Sequence, residues 1–205
     1  MRIRKENSKD RSEVENVTRE AFWNVYRPGC VEHLVVHNFR SSPAFVRDLS
    51  LVVEAEDSKD IIAHILYCKT TIQMDSGGHK DLLMLGPISV LPKYQHQGIG
   101  RSLIEHSMQK AKELGYGAIA LTGNPDFYHR FGFSSGSGFS LFYPGMSRTE
   151  EASFFLVAEL SEGYLANAVG TIVEPQAYSV SDDAVHEFDA KFPHKVKETR
   201  PGQLG

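Results

Sequence analysis

Residues 86–101 read GPISVLPKYQHQGIGR, and this stretch decides the fold. A strand runs through Val90 into a short loop with glycines at positions 98 and 100, and the loop opens directly into a helix. The first turn of a helix has N–H groups without intrahelical partners and lies at the positive end of the helix dipole. Because glycine has no Cβ, an anion can approach the backbone at Gly98 and Gly100 closely. The pattern therefore predicts a phosphate or pyrophosphate site.

Two other phosphate-binding patterns do not match this loop. A P-loop, which binds nucleoside triphosphates, needs Gly-Lys-Ser/Thr. Here Gly100 is followed by Arg101 and Ser102, and the glycine spacing differs. A dinucleotide fingerprint needs a third glycine where Leu103 stands, and it normally lies in the first βα unit rather than after several strands. The pattern that fits is Gln-x-x-Gly-x-Gly, which begins at Gln95.

Outward from the loop, hydrophobic spacing predicts alternating helices and strands. Apolar residues about 3.6 positions apart predict helices near 14–25, 31–39 and 98–114, and a proline opens a short helix at 125–131. Runs rich in β-branched and other apolar residues predict strands at 1–5, 49–56, 61–74, 82–91, 118–122 and 153–160, and a final short helix and strand are expected between Gly163 and Val180. The fold class is therefore α/β, with a mixed sheet and helices on both faces.

Length and charge limit the classes of protein. The chain has 205 residues, so we expect one domain over 1–180 and a loosely packed C-terminal extension over 181–205. The formal charge of −4 argues against a nucleic-acid partner. No apolar run reaches about 18 residues, the N-terminus is too charged for a secretory signal, and two cysteines make no disulfide framework. These features predict a cytoplasmic protein with no membrane partner.

The loop from Gln95 to Gly100 resembles the acetyl-CoA loop of the GNAT N-acetyltransferases. A second resemblance lies in residues 121–133, where an asparagine and a tyrosine precede Phe-Gly-Phe. The segments 49–54, 63–65, 85–87 and 159–165 are similar to the YhbS-like branch of that family, with Ala63 where many members have glycine. The resemblance extends from about residue 2 to residue 179.

This resemblance implies a fold and an activity. The fold would be a mixed, mostly antiparallel twisted sheet of about seven strands, with middle strands splayed at Gly86-Pro87. The activity would be transfer of an acetyl group from acetyl-CoA, the co-substrate, to a primary amine by direct attack in a ternary complex. The implied cofactor-binding residues are Ile88, Ser89, Val90, Gln95, His96, Gln97, Gly98, Ile99, Gly100, Arg101, Asn124 and Tyr128.

The catalytic groups are less completely specified. By the resemblance, Tyr128 is the candidate acid that protonates the CoA thiolate, and packing is its alternative role. An amine near pKa 10.4 needs a base or a proton-relaying water at neutral pH, and Glu32, Glu54 and His64 are all candidates for that role. The base stays open among these three; Glu32 is the catalytic candidate that we carry forward, and a solvated position on the helix surface is its alternative.

Metal and thiol chemistry have weak support in the sequence. His33 and His37 stand four residues apart but lack a third ligand in sequence, so we predict no metal site. Cys68 lies in an apolar strand and is expected to be a core residue.

The acceptor and the assembly stay open at this point. A small-molecule amine and a peptide or protein amine are both compatible with the pattern, as is a homodimer. Because the predicted strand at 82–91 offers no carboxylate toward the thioester, the alternative function is a catalytically weak acyl-CoA-binding sensor or interaction module.

Overall fold

The structure is a computed structural model that describes residues 1–203. These residues separate into two compact units, and the long central strands β3 (Ile61–Met74) and β4 (His79–Val90) and the helix α3 (Ile99–Glu113) each have one end in each unit. Within the described chain, no helix is long and apolar enough to cross a membrane.

The first unit comprises residues 1–66, 87–103 and the chain from Gln176 onward. It contains β1 (Arg2–Lys5), α1 (Arg11–Phe22), α2 (Glu32–Phe39), β2 (Leu51–Glu54) and α5 (Asp182–Asp189). β1 pairs antiparallel with β2, and β2 pairs antiparallel with the first half of β3, with an irregularity between Val53 and Glu54. Short 3₁₀ helices lie at Arg47–Leu49, Pro92–Tyr94 and Gln176–Tyr178.

The second unit comprises residues 67–86 and 104–175. It contains β5 (Ala118–Thr122), α4 (Pro125–Tyr128), β6 (Ser134–Ser135), β7 (Leu141–Phe142), β8 (Phe155–Glu159) and β9 (Gly170–Ile172), and 3₁₀ helices lie at His129–Phe131 and Gly136–Phe139. β5 and β6 both pair antiparallel with β8, and β9 pairs antiparallel with β3. The parallel pairs are β4 with β5 and β7 with β9.

The strand pairs confirm the predicted mixed, mostly antiparallel sheet. β4 pairs with β5 through Leu83 and Met84, just before Gly86-Pro87, where proline has no N–H to donate. The core of this unit is a cluster of aliphatic and aromatic side chains from β3, β5, β8 and β9, which includes Ile72, Ala120, Val157 and Ile172.

Local turn residues set several helix ends. α1 stops at Phe22, short of the predicted position 25, because Asn24 adopts a left-handed backbone with φ of 59°. α3 ends before Gly115, whose φ of 84° is a left-handed backbone that glycine adopts readily after a helix.

The C-terminal part of the chain differs from the expectation. β9 precedes the 3₁₀ turn at Gln176–Tyr178, which reverses the predicted order of helix and strand. Within the predicted extension, residues 182–189 form α5, which Ser181 caps by accepting a hydrogen bond from the Ala184 N–H. Val185 and Phe188 of α5 pack against Leu34 in a buried cluster, so this part of the extension is folded. The last two residues of the extension, 204–205, lie outside the described residues.

Candidate functional site

Two backbone hydrogen bonds hold the chain where β4 ends, one to β3 and one within the turn that follows. The Leu91 N–H donates to the carbonyl of Ile62 at 2.9 Å, which joins the start of the loop to β3. The next residues turn at once, since the Tyr94 N–H donates to the carbonyl of Leu91 at 2.8 Å. The predicted phosphate loop therefore starts from a fixed point on the sheet.

Two glutamine side chains brace the loop from within. Gln95 Nε2 donates to the carbonyl of Val90 at 3.0 Å, and Gln97 Nε2 donates to the carbonyl of Lys93 at 3.0 Å. Between them, His96 is exposed and adopts a left-handed backbone with φ of 60°. The glutamine amides therefore fix the shape of the loop by hydrogen bonds to its own carbonyl groups.

The first turn of α3 is open at its two glycines. Gly98 has a φ of 83°, and its carbonyl accepts the first helical hydrogen bond from the Ser102 N–H at 3.0 Å. A Cβ at Gly98 would meet no atom within 4 Å, and one at Gly100 would lie 3.6 Å from Val90 Cγ2. Ile99 is buried while Arg101 is exposed. A phosphate at this turn would meet backbone N–H groups, so the geometry fits an anion.

The three predicted cofactor residues at the end of β4 do not share one face. Ser89 is buried, and its Oγ lies 3.2 Å from Thr18 Oγ1 on α1. Because side chains alternate along a strand, Ile88 and Val90 point to the opposite face from Ser89. The side chain of Ser89 is therefore engaged by α1.

The predicted asparagine and tyrosine lie in the second unit. Asn124 caps α4, because its Oδ1 accepts a hydrogen bond from the Asp126 N–H at 2.9 Å. Tyr128 is 8 % exposed, and its ring lies edge-on to Phe127 and Phe133 at centroid distances of 5.0 and 5.8 Å. A Cβ at Gly123 would come within 2.5 Å of the Tyr128 ring. Both residues thus have structural roles, and their roles toward a cofactor stay predictions.

Glu32 lies in the first turn of α2, in the first unit. Its carboxylate accepts a hydrogen bond from the Val31 N–H at 3.0 Å. Burial raises the pKa of Glu32, and burial together with the charge of Glu32 raises the pKa of Tyr26. The carboxylate is therefore withdrawn from water rather than freely solvated, and a raised pKa favours proton transfer near neutral pH.

The other two candidate bases are already engaged. Glu54 accepts a hydrogen bond from Arg4 Nε at 2.6 Å. His64 is fully buried, with its Nε2 3.1 Å from Ser50 Oγ and 3.5 Å from Glu6 Oε2. Burial lowers the pKa of His64, and its Nδ1 has no hydrogen-bond partner among residues 1–203.

The histidines of the predicted i, i+4 pair have separate partners. His37 is exposed, and its Nδ1 lies 2.9 Å from Glu15 Oε1. His33 is fully buried, with its Nδ1 3.3 Å from Cys30 Sγ and its Nε2 3.3 Å from Asp189 Oδ1. Burial, the largest effect, lowers the pKa of His33 to about 4. Burial likewise raises the pKa of the Cys30 thiol, so this thiol stays protonated.

The structure also has a buried ion pair beside His33 that sequence reasoning missed. The side chain of Arg19 is 1 % exposed, and its Nε and Nη2 donate to Asp189 at 2.6 and 3.2 Å. The Trp23 ring also lies 4.3 Å from the guanidinium carbon. An arginine in an amphipathic helix normally faces water, so only its partner far along the chain explains its position.

The open turn at Gly98 and the mixed sheet are consistent with the protein family that this chain matches. Residues 15–133, more than half of the chain, match the acetyltransferase (GNAT) family, and the chain belongs to this family.

Two proteins, from Escherichia coli and Brucella melitensis, are similar to this chain over most of its length. The chain is 28% identical over 143 residues to the Escherichia coli K12 protein named "Uncharacterized N-acetyltransferase YhbS", which covers 69% of this chain and 79% of that protein. The crystal structure of E. coli YhbS in complex with CoA has a TM-score of 0.74 at 24% identity and covers 86% of this chain and 91% of that one. A Brucella melitensis GNAT acetyltransferase in complex with acetyl-CoA has a TM-score of 0.68 at 28% identity and covers 87% and 97% of the two chains. The GNAT fold and the similarity to YhbS are thereby confirmed.

Proposed function

We propose that this protein transfers an acetyl group from acetyl-CoA to a primary amine by direct attack within a ternary complex. The observation that carries the proposal is the open turn at Gly98, where α3 starts directly after a braced loop. Membership of the GNAT family and the CoA and acetyl-CoA bound to two similar proteins support it. We assign the reaction to residues 1–180 and treat 181–205 as an extension.

The cofactor binds in two parts in this proposal. The N–H groups of the first turn of α3 and the Arg101 guanidinium hold the pyrophosphate, since helix dipole and cation both favour the anion. The backbone of Ile88 and Val90 pairs with the amides of the pantetheine arm. The glutamine braces on Val90 and Lys93 keep this backbone in place before the ligand arrives, which lowers the ordering cost of binding.

Two side chains carry the proton transfers. Tyr128 donates its phenolic proton to the CoA thiolate, which leaves more readily when it is protonated, and Asn124 contacts the pantetheine amides. Glu32 accepts a proton from the attacking amine, and its raised pKa supports this assignment. The amine nitrogen forms a bond to the carbonyl carbon, the C–S bond breaks, and the proton lost by nitrogen balances the one gained by sulfur.

Thermal unfolding with acetyl-CoA tests the cofactor assignment. Ligand at about a hundred times its Kd stabilises the native state by roughly 2.7 kcal/mol, which gives a clear rise in Tm. We expect this rise with acetyl-CoA and CoA and little with ATP. If saturating acetyl-CoA leaves Tm unchanged, the loop does not bind the cofactor.

Release of free CoA with a panel of amines and peptides separates an enzyme from a binding module. An enzyme releases CoA with at least one acceptor, whereas a module that only binds acyl-CoA shifts Tm and releases none.

Tyr128→Phe tests the acid. The loss of a general acid lowers turnover by about 10²-fold or more, with acetyl-CoA affinity nearly unchanged. Tyr143→Phe is the matched control in the same unit, because the Tyr143 hydroxyl donates to Glu174 at 2.7 Å. Equal turnover in the two variants would assign Tyr128 to packing alone.

A further inference from the structure

The chain segment 195–198 is held by its backbone in the first unit. Trp23 Nε1 and Asn24 Nδ2 both donate to the carbonyl of Val196, at 2.9 and 3.0 Å. The Glu198 N–H donates to Asn24 Oδ1 at 3.1 Å. One asparagine amide thus pairs with an acceptor and a donor two residues apart. Such contacts do not depend on side-chain identity, and Val196 and Glu198 are in fact exposed.

The lysine of this segment has its own contacts. Lys195 Nζ lies 2.8 Å from Glu20 Oε2 and 5.6 Å from the Trp23 ring. A carboxylate beside an aromatic face is a combination that binds an ammonium group. The ion pair holds the Lys195 nitrogen against the Glu20 carboxylate. The contact suits an anchor rather than a reacting amine.

The segment does not fill the space around it. A cavity of about 420 Å³ lies against Trp23, Asn24, Lys195 and Val196, and Pro92 also lines it. Pro92 opens the 3₁₀ turn that leads into the loop of residues 95–101. The groove therefore lies beside the turn that precedes the loop that we assign to the cofactor.

We propose that Glu20, Trp23 and Asn24 form a binding groove for an extended peptide segment with a lysine, and that residues 195–198 occupy it as an internal ligand. Backbone contacts to Trp23 and Asn24 give affinity, and Glu20 selects the lysine. The inference deepens the proposed function, on which it rests: the acceptor is a peptide or protein that anchors a lysine here while a different amine is acetylated. The tail competes with that acceptor.

Trp23 is the single tryptophan of the chain, so its fluorescence reports on the groove directly. The test uses the full chain with Lys195→Gln and Glu198→Pro together, which removes the ammonium and the N–H that Asn24 Oδ1 accepts. Lys197→Gln with Glu198→Ala is the matched control, because it also removes one charge of each sign but keeps Lys195 and the N–H. The probe is a synthetic peptide with the sequence of residues 192–200, and a second peptide carries Lys195→Gln.

We expect the Trp23 emission to shift to the red in the Lys195→Gln, Glu198→Pro chain and to return when the peptide is added. A tethered segment competes at a high effective concentration, so the peptide should bind this chain at least tenfold more tightly than the wild type or the control. The Lys195→Gln peptide should bind more weakly than the unmodified one, and Glu20→Gln in the loosened chain should abolish this difference.

Three results would overturn the inference: unchanged Trp23 emission in the loosened chain, no peptide binding to it, or equal binding of the two peptides. Acetyl-CoA thermal shifts on the same samples keep the two proposals distinguishable. A shift with acetyl-CoA but no peptide binding rejects the groove and leaves the proposed function. Peptide binding without an acetyl-CoA shift retains the groove and rejects the acetyl-transfer assignment.

Discussion

The loop of residues 95–101 and the contact of α5 with α1 and α2 lie in the same unit but are built in opposite ways. The loop is mostly exposed and is held by bonds between near neighbours, such as Gln95 to Val90. The α5 contact is buried and is held by Asp189, which pairs with Arg19 from 170 positions away. The comparison indicates that a ligand site can be specified locally, whereas a buried charge needs the whole folded unit.

Removal of the Asp189 carboxylate should give the largest effect. Asp189→Ala removes the carboxylate that accepts hydrogen bonds from the buried Arg19 and leaves the 3.9 Å contact to Glu20 Oε1, and breaking such a pair costs about 3–5 kcal/mol of unfolding free energy. Asp182→Ala is the matched control on the same helix, because it removes an aspartate that pairs with Arg27 at an exposed site and costs less than about 1 kcal/mol. Urea denaturation measures both. Equal losses of unfolding free energy in the two variants would contradict this prediction, because the buried Asp189–Arg19 pair would then stabilise the fold no more than the exposed Asp182–Arg27 pair does.

Substitution of Gly98 should affect the ligand instead. Gly98→Val places a side chain at the open turn and should weaken acetyl-CoA binding at least 100-fold, or about 2.8 kcal/mol. Gly115→Val is the control at the other end of α3, where φ is 84° against 83° at Gly98. A left-handed valine costs about 1–2 kcal/mol of stability in either place. If titration calorimetry gives equal affinities, Gly98 serves only the turn.

The pH dependence of stability should reveal the α5 contact with a smaller effect. Burial lowers the pKa of His33 to about 4, whereas an unfolded histidine titrates near 6.5. As pH falls, the unfolded chain takes up the proton first, so this part of the stability is complete above pH 6.5 and lost toward pH 4. We expect His33→Gln to reduce the fall in unfolding free energy between pH 7 and 4.5 by about 2 kcal/mol. If urea denaturation shows the same fall of unfolding free energy over this pH range in the variant and the wild type, His33 does not cause the pH dependence.

Elements with strong local signals were predicted well from the sequence. β3 at Ile61–Met74 and β5 at Ala118–Thr122 have the expected bounds, because turn residues flank apolar runs. The two-residue strands β6 and β7 were missed, since two residues carry no periodicity. α5 was missed because its helical signal is a short stripe of Val185 and Phe188 whose partner, Leu34, is distant in the chain.

The candidate site shows the same division. The glycines of the loop could be read from their spacing, but the glutamine amides that bind the backbone at Val90 and Lys93 could not. Likewise, Glu32 and His64 could be named as candidates from the sequence, but the burial that raises the pKa of Glu32 and lowers that of His64 could not be predicted from it.

The separation of Arg19 and Asp189 along the sequence also affects when the first unit can fold during protein synthesis. Ribosomes add residues in order, so α1 and α2 emerge while the carboxylate that Arg19 needs has not been synthesised. Until residue 189 appears, the Arg19 guanidinium lacks the carboxylate that accepts its hydrogen bonds, so burial of this cation is unfavourable. The first unit should therefore reach its final packing only after translation has passed α5, and a ribosome stalled before that point would hold a nascent chain that proteases can still cut.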